Sequence, residues 1–248
     1  MKTIISQVMF AALLILLSAA LYILHYSLFN DSHHIFIYLL GDIVFVPIEV
    51  LFVSLILHKI IMAHEKKAVF EKLNMVIGTF LSEAGSEMLN RFSFADTNAD
   101  NFKKYLINDK QWNRRKLSGL LTLLKKQEHS ISIKKIDFVL LKDFLAGKRD
   151  FFVRLLENPV LLEHQPFTEI LMATFHLTAE LCGRKSFDGL PREDLDHLSN
   201  DINRVYKPLV SLWLKYMIYL SKNYPYLFSL AMRENPFSSK RSIVIGSN

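Results

Sequence analysis

The sequence predicts an all-α chain, a pair of apolar helices followed by a helical body, on three observations. First, 51% of the 248 residues are hydrophobic and 22% charged, with a mean hydropathy of +0.21, which is apolar for a soluble domain. Second, the apolarity is concentrated at the N-terminus, in two runs at about 3–29 and 35–57. Third, apolar residues downstream recur every three or four positions, without the alternation of a strand. The 8 Gly and 7 Pro are too few for a turn-rich β fold, and the single Cys excludes a disulfide framework or a Cys-rich metal site. The length allows one domain with a membrane segment, or two small domains.

A helix needs about 20 apolar residues to cross about 30 Å of hydrocarbon, so both runs qualify as spans. Only Asn30-Asp31-Ser32-His33-His34 separates them, which predicts an antiparallel hairpin closed by a five-residue turn. A signal peptide ending near Ser18-Ala19-Ala20 is the rival reading, but the run continues through Leu28, too far for a signal core. Lys2 precedes the first run, Lys59, Lys66, Lys67 and Lys72 follow the second, and the turn has no Lys or Arg. The positive-inside rule then places both termini in the cytoplasm of a multi-pass protein of the cell membrane.

The second run reads Gly41-Asp42-Ile43-Val44-Phe45-Val46-Pro47-Ile48-Glu49. Asp42 and Glu49 are two helical turns apart and share a face. Ionisable groups at membrane depth are expensive and are functional candidates by default. Pro47 removes the donor for the Ile43 carbonyl and predicts a bend. Matching heights across the hairpin puts Asp42 level with Tyr22, on a stripe with Ser18 and His25, and suggests a Tyr22–Asp42 hydrogen bond. Glu49 finds no polar partner in its own hairpin. These acids either line a cation or proton path or hold helices together by hydrogen bonds.

Residues 59–237 read as an all-helical cytoplasmic domain, its first helix continuous with the second span through Phe92. Gly78 and Gly85 offer a small-residue face for close packing. Further helices are expected at Phe102–Ile107, Gln111–Gln127, Ile133–Leu156, Pro166–Leu181, Pro191–Lys222 and Tyr226–Met232. Ser132 suits an N-cap, Pro166 and Pro191 suit first turns, Gly183 suits a helix stop, and Pro208 predicts a kink. Residues 238–248 read as a disordered tail. The segment from Trp213 to Phe228 is rich in aromatics and is expected mainly to pack the core.

Charge is uneven. Residues 103–154 hold 14 Lys+Arg against 5 Asp+Glu, a net of +9, and residues 155–201 hold 3 against 9, a net of −6. Lys103, Lys104, Arg114, Arg115, Lys116, Lys125 and Lys126 are therefore candidates for anionic lipid or for a protein partner. Nucleic acid is not the expected partner.

No catalytic motif stands out. Phosphate-binding loops, a Gly-x-Ser-x-Gly elbow and His-Glu-x-x-His are all absent. Glu169, His176 and Glu180 share one helix face and form a weak candidate metal cluster; a histidine at the edge of a helical core is the plainer reading. Cys182 reads as a buried or inert thiol. No cofactor and no enzymatic activity are expected.

The stretches FTEILMATFHLTAEL at 167–181, YPYLFSLAMRENPF at 224–237 and GDIVFVPIE at 41–49 resemble uncharacterised prokaryotic membrane proteins with two N-terminal transmembrane helices and a helical cytoplasmic domain. The resemblance spans most of the chain. It implies the architecture and attaches no activity, cofactor or catalytic residue. The leading functional expectation is a non-enzymatic, homo-oligomeric membrane protein acting as a scaffold or sensor at the cytoplasmic face. The alternative is a small cation or proton channel lined by Asp42 and Glu49.

Overall fold

In the N-terminal helix α1 (Lys2–Phe29) leucine, isoleucine, phenylalanine and alanine occupy every face, so hydrogen bonding within the helix is the only way to satisfy its backbone in an apolar setting. The helix stops at Asn30, whose φ of 50° is the left-handed conformation of a helix stop and whose N–H returns to the Tyr26 carbonyl at 2.8 Å. Asp31 then caps the next helix, its Oδ1 accepting the N–H groups of His33 and His34 at 3.0 and 3.2 Å. Helix α2 starts at Ser32, so two residues, not five, make the turn. The capping power of Asp31 shortens it.

The computed structural model describes residues 2–98, 114–126, 130–162, 164–238 and 241. It divides into two units, Met1–Lys66 and Lys67–Asn248. In the first unit the apolar side chains of both helices are exposed. Both helices are long and apolar enough to cross a membrane. Pro47 lies within α2 without ending it.

Helix α2 (Ser32–Phe80) passes into a π-helical turn at Leu81–Gly85 and then α3 (Ser86–Ala95). The helix expected to end near Phe92 thus ends at Ala95, with one widened turn inside it. Of the two glycines of the small-residue face, Gly78 is approached by another helix and Gly85 by side chains of its own. A Cβ on Gly78 would collide with the Tyr216 hydroxyl, and one on Gly85 would lie 2.9 Å from side-chain carbons of Leu81 and Phe80.

The body continues with α4 (Arg114–Lys126), a 3-10 turn at Ile133–Lys135, α5 (Phe138–Gly147), α6 (Arg149–Leu156), the single turn α7 (Pro159–Leu162), α8 (Gln165–Gly183), α9 (Arg192–Asn223) and α10 (Pro225–Arg233). The expected helix Ile133–Leu156 is three pieces. Ser132 makes no capping bond, and Asp137 caps α5 by accepting the Leu140 N–H at 2.9 Å. Pro166 and Gly183 lie at the ends of α8 as expected, and Pro191 is one residue outside α9. Pro208 lies within α9 without ending it. The expected helix Phe102–Ile107 lies outside the described residues.

Helix α9 is the axis of the body, packed by α3, α4, α8 and α10. It buries Leu198, Ile202, Val205, Tyr206, Leu209, Trp213, Leu214 and Met217, a stripe at helical spacing. Phe80 stands edge-on to Phe167 at 5.0 Å between ring centres and is fully buried. Buried Thr174 and Thr178 satisfy their hydroxyls by donating to the carbonyls one turn back, at 2.8 and 2.7 Å. The aromatic segment divides: Trp213 and Met217 are core, whereas Tyr224 and Tyr226 are exposed.

Phe237 is buried against Trp213, and the Pro236 carbonyl accepts from Asn90 Nδ2 at 2.9 Å. Within the expected disordered tail, Ser238 donates to the Asn235 carbonyl at 3.0 Å and Arg241 approaches Glu87 at 3.7 Å. Those two residues are docked; 239–240 and 242–248 lie outside the described residues. The one β pairing among the described residues is the isolated bridge between Asp96 and Ile131.

Candidate functional site

Two polar constellations stand out, one in each unit. In the first unit, α1 and α2 enclose a cleft of about 560 Å³ lined by Ser18, Tyr22, His25, Tyr38 and Asp42 among leucines. Ser18, Tyr22 and His25, spaced four and three residues apart on α1, line this cleft together with Asp42 of α2. Tyr22 and Asp42 both line the cleft, and no hydrogen bond joins them among the described residues. The His25 ring packs on Phe29 at 4.8 Å between centres, and its Nδ1 is buried with no hydrogen-bond partner. Glu49 is exposed, lies outside the cleft, and pairs with no side chain among the described residues. Pro47 is likewise outside it.

In the second unit, a polar network joins the C-terminal half of α8 to the N-terminal half of α9. Arg184 is its hub. The guanidinium donates to both carboxylate oxygens of Asp194, at 3.0 and 2.6 Å, and to Glu180 Oε2 at 2.8 Å. It also donates to the Glu180 backbone carbonyl. These bonds hold the Glu180 and Asp194 carboxyls below their ordinary range and raise Arg184 above its own. Lys142 Nζ caps the Arg184 carbonyl at 3.0 Å. The end of α8 is thereby fixed to the start of α9.

One turn further along, His176 of α8 meets His197 and Asp201 of α9. Asp201 Oδ2 lies 3.2 Å from His176 Nε2 and 3.3 Å from His197 Nε2. Asp201 is 1% exposed, and its other oxygen accepts from Arg204 Nη1 at 3.2 Å. Both imidazoles are about half exposed, so the cluster opens to solvent.

The expected trio Glu169, His176 and Glu180 is only partly assembled. Glu169 is two turns from His176, about 10 Å along the axis. It instead accepts from Gln165 Nε2 at 2.9 Å. Glu180 Oε2 is 3.9 Å from His197 Nε2. Sequence reasoning missed His197, Asp201 and Arg204. The His-x-x-x-Asp spacing at 197–201 puts the first two on one face of a helix, but only the packing of α8 on α9 brings His176 to them.

Of the basic candidates, Lys116 is exposed on α4, the helix that buries Leu117, Leu120 and Leu124. The side chains of Arg114, Arg115, Lys125 and Lys126, and all of Lys103 and Lys104, lie outside the described residues. Cys182 is exposed, not buried, because it is on the solvent side at the end of α8.

Fold and sites define an all-α protein made of an apolar helix pair and a separate helical body. Its N-terminal part, residues 2–61, matches the family model described as MJ1433, N-terminal helical domain, and residues 69–233 match that of the MJ1433 C-terminal helical domain. The chain is 46% identical over 234 residues to "Uncharacterized protein MJ1433" of Methanocaldococcus jannaschii, covering 94% of each chain. The chain belongs to the MJ1433 family. No solved structure matches it.

Proposed function

We propose that this chain is an oligomeric integral membrane protein whose helical body acts as a non-enzymatic scaffold or sensor at the cytoplasmic face. The observation that carries the reading is the exposure of the first unit. The apolar stretches of both helices leave nearly all their large hydrophobic side chains exposed and bury none of them. In water such a surface far exceeds what a soluble monomer leaves exposed, so lipid is its natural solvent. The polar cleft supports self-association. Ser18, Tyr22, His25 and Asp42 have unfilled hydrogen-bonding capacity at membrane depth, and a second copy is the nearest source of partners. The basic residues after the second span favour a cytoplasmic body, which would meet anionic lipid or a protein partner.

Membranes from cells expressing the full chain, washed with alkaline carbonate, test the first half of this reading. Retention in the pellet is expected; release into the supernatant would overturn it. Cross-linking in detergent, beside Asp42→Asn and Tyr22→Phe, tests the second half, with fewer oligomers expected in the variants.

The cleft also supports a channel as the second reading, because a cavity of this size lined by Asp42, Tyr22 and His25 could admit water and cations. Ion flux through liposomes carrying the purified protein, Asp42→Asn and Glu49→Gln separates the two. Tight wild-type vesicles across pH and voltage would leave the acids as helix contacts.

A further inference from the structure

We infer that His176, His197 and Asp201 form a site for a first-row divalent metal ion of the zinc type, with coordination positions left open to solvent. The three ligand atoms converge, all within 4.8 Å of one another. Two of the three separations are 3.2 and 3.3 Å. An ideal tetrahedral zinc site, with bonds of about 2.0–2.1 Å, has ligand atoms about 3.3 Å apart. The remaining edge closes by rotation of two half-exposed imidazoles.

The chemistry of the set is specific. Two neutral imidazoles and one carboxylate are donors that suit zinc, iron, cobalt or nickel better than magnesium or calcium, which prefer all-oxygen shells. Asp201 is the informative member. Its Oδ2 is buried and makes no well-aligned hydrogen bond, although it lies 3.2 and 3.3 Å from the two ring nitrogens. A buried carboxylate oxygen without a well-aligned donor is costly, and a cation between the three groups removes that cost. Its Oδ1 is occupied by Arg204, which fixes the carboxylate for monodentate binding through Oδ2.

The scaffold is also suited to the task. His197 and Asp201 come from adjacent turns of α9, and His176 comes from α8, so the ligands sit on rigid helices. The Arg184 hub fixes the α8–α9 register next to the cluster. Three protein ligands leave at least one position for water or a small anion, and Glu180 Oε2, at 3.9 Å from His197 Nε2, is the nearest further oxygen. A metal here would add a second tie between α8 and the central helix, one turn from the Arg184 hub.

The full-length protein, purified in detergent through a tag without histidine and stripped with chelator, should be titrated with Zn²⁺ and with Co²⁺. One equivalent per chain is expected, with Co²⁺ giving visible d–d absorption of tetrahedral or five-coordinate strength. His197→Ala and Asp201→Asn should each weaken Zn²⁺ binding at least 10-fold, and added Zn²⁺ should raise the melting temperature of wild type only. His176→Ala, at a half-exposed position, guards against a variant that fails to fold. Binding below a tenth of an equivalent, or a His176→Ala protein that binds Zn²⁺ as tightly as wild type, overturns the site and leaves the cluster as an interhelical ion pair.

Discussion

Gly85 leaves room for the side chains of Phe80 and Leu81 from the preceding turn of its own helix. Alanine there gains about 1 kcal/mol of helix propensity. Its Cβ would press at 2.9 Å on Phe80, which is fully buried, and overpacking of this kind costs about 1–3 kcal/mol. Gly85→Ala should therefore lower the unfolding midpoint in detergent; an unchanged or higher midpoint would mean that Phe80 has room to yield. His164 is a second decisive residue. Its Nδ1 accepts the Phe167 N–H at 3.2 Å as the N-cap of α8, which only a ring unprotonated at that nitrogen can do. Burial, with the charge of Lys215 added, holds its pKa below that of an ordinary imidazole. The unfolded chain then takes up the proton first as pH falls. The cap contribution, about 1 kcal/mol, is complete above about pH 6.5 and is lost as pH falls through the lowered native value. His164→Asn keeps a capping oxygen without the titration, so it should flatten the pH 7.5 to 5 dependence of stability relative to wild type. Residues of this kind were legible only in part. Asp42, Tyr22 and His25 could be brought together on paper because a hairpin fixes heights by counting. His197 and Asp201 could not be joined to His176, because residue spacing says nothing of which face of α9 meets α8.

Helix ends follow local chemistry, and there the sequence was a good guide where Pro or Gly marks the boundary. Helices α8 and α9 lie within two residues of expectation. The segment 133–156 failed because its apolar period runs unbroken across Lys148, while the chain there divides into two helices. A shorter device holds the region before it. Buried Asp96 accepts the N–H groups of Asn98 and Ser130 at 3.0 and 3.1 Å, and the neighbouring backbone pairs with 130–132. Asp96→Ala strands these donors and should cost about 2 kcal/mol, read as a lower denaturation midpoint; a loss under about 0.5 kcal/mol would mean that water replaces the carboxylate. The π-helical turn makes a sharper forecast. It holds one residue more than an α-helical turn. Deleting exposed Ser82 should relax it to an α-turn and leave both flanks in place, with most stability retained. Deleting Asn203 from mid-α9 rotates every later core residue by about 100° and should prevent folding. Equal damage from the two deletions would refute this account of the turn.

Across the whole molecule, composition alone separated an apolar pair of helices from a mixed-polarity body, because apolar residues run nearly unbroken through the first 57 positions and are interleaved with polar ones after them. The identity of any partner was not legible in the same way: a binding face is a small patch, and composition averages over it. The membrane reading predicts that the full chain stays soluble after extraction only while detergent is present, and that its removal without added lipid gives aggregates on size-exclusion chromatography. A monodisperse, detergent-free species would count against it. The lone thiol offers a further use. Cys182 is the single cysteine of the chain, and it is exposed on the helical body. The native protein thus carries one address for a maleimide that cannot cross a bilayer. Whether that reagent modifies the chain in intact cells, or only once they are opened, reports the sidedness of the body without changing a single residue.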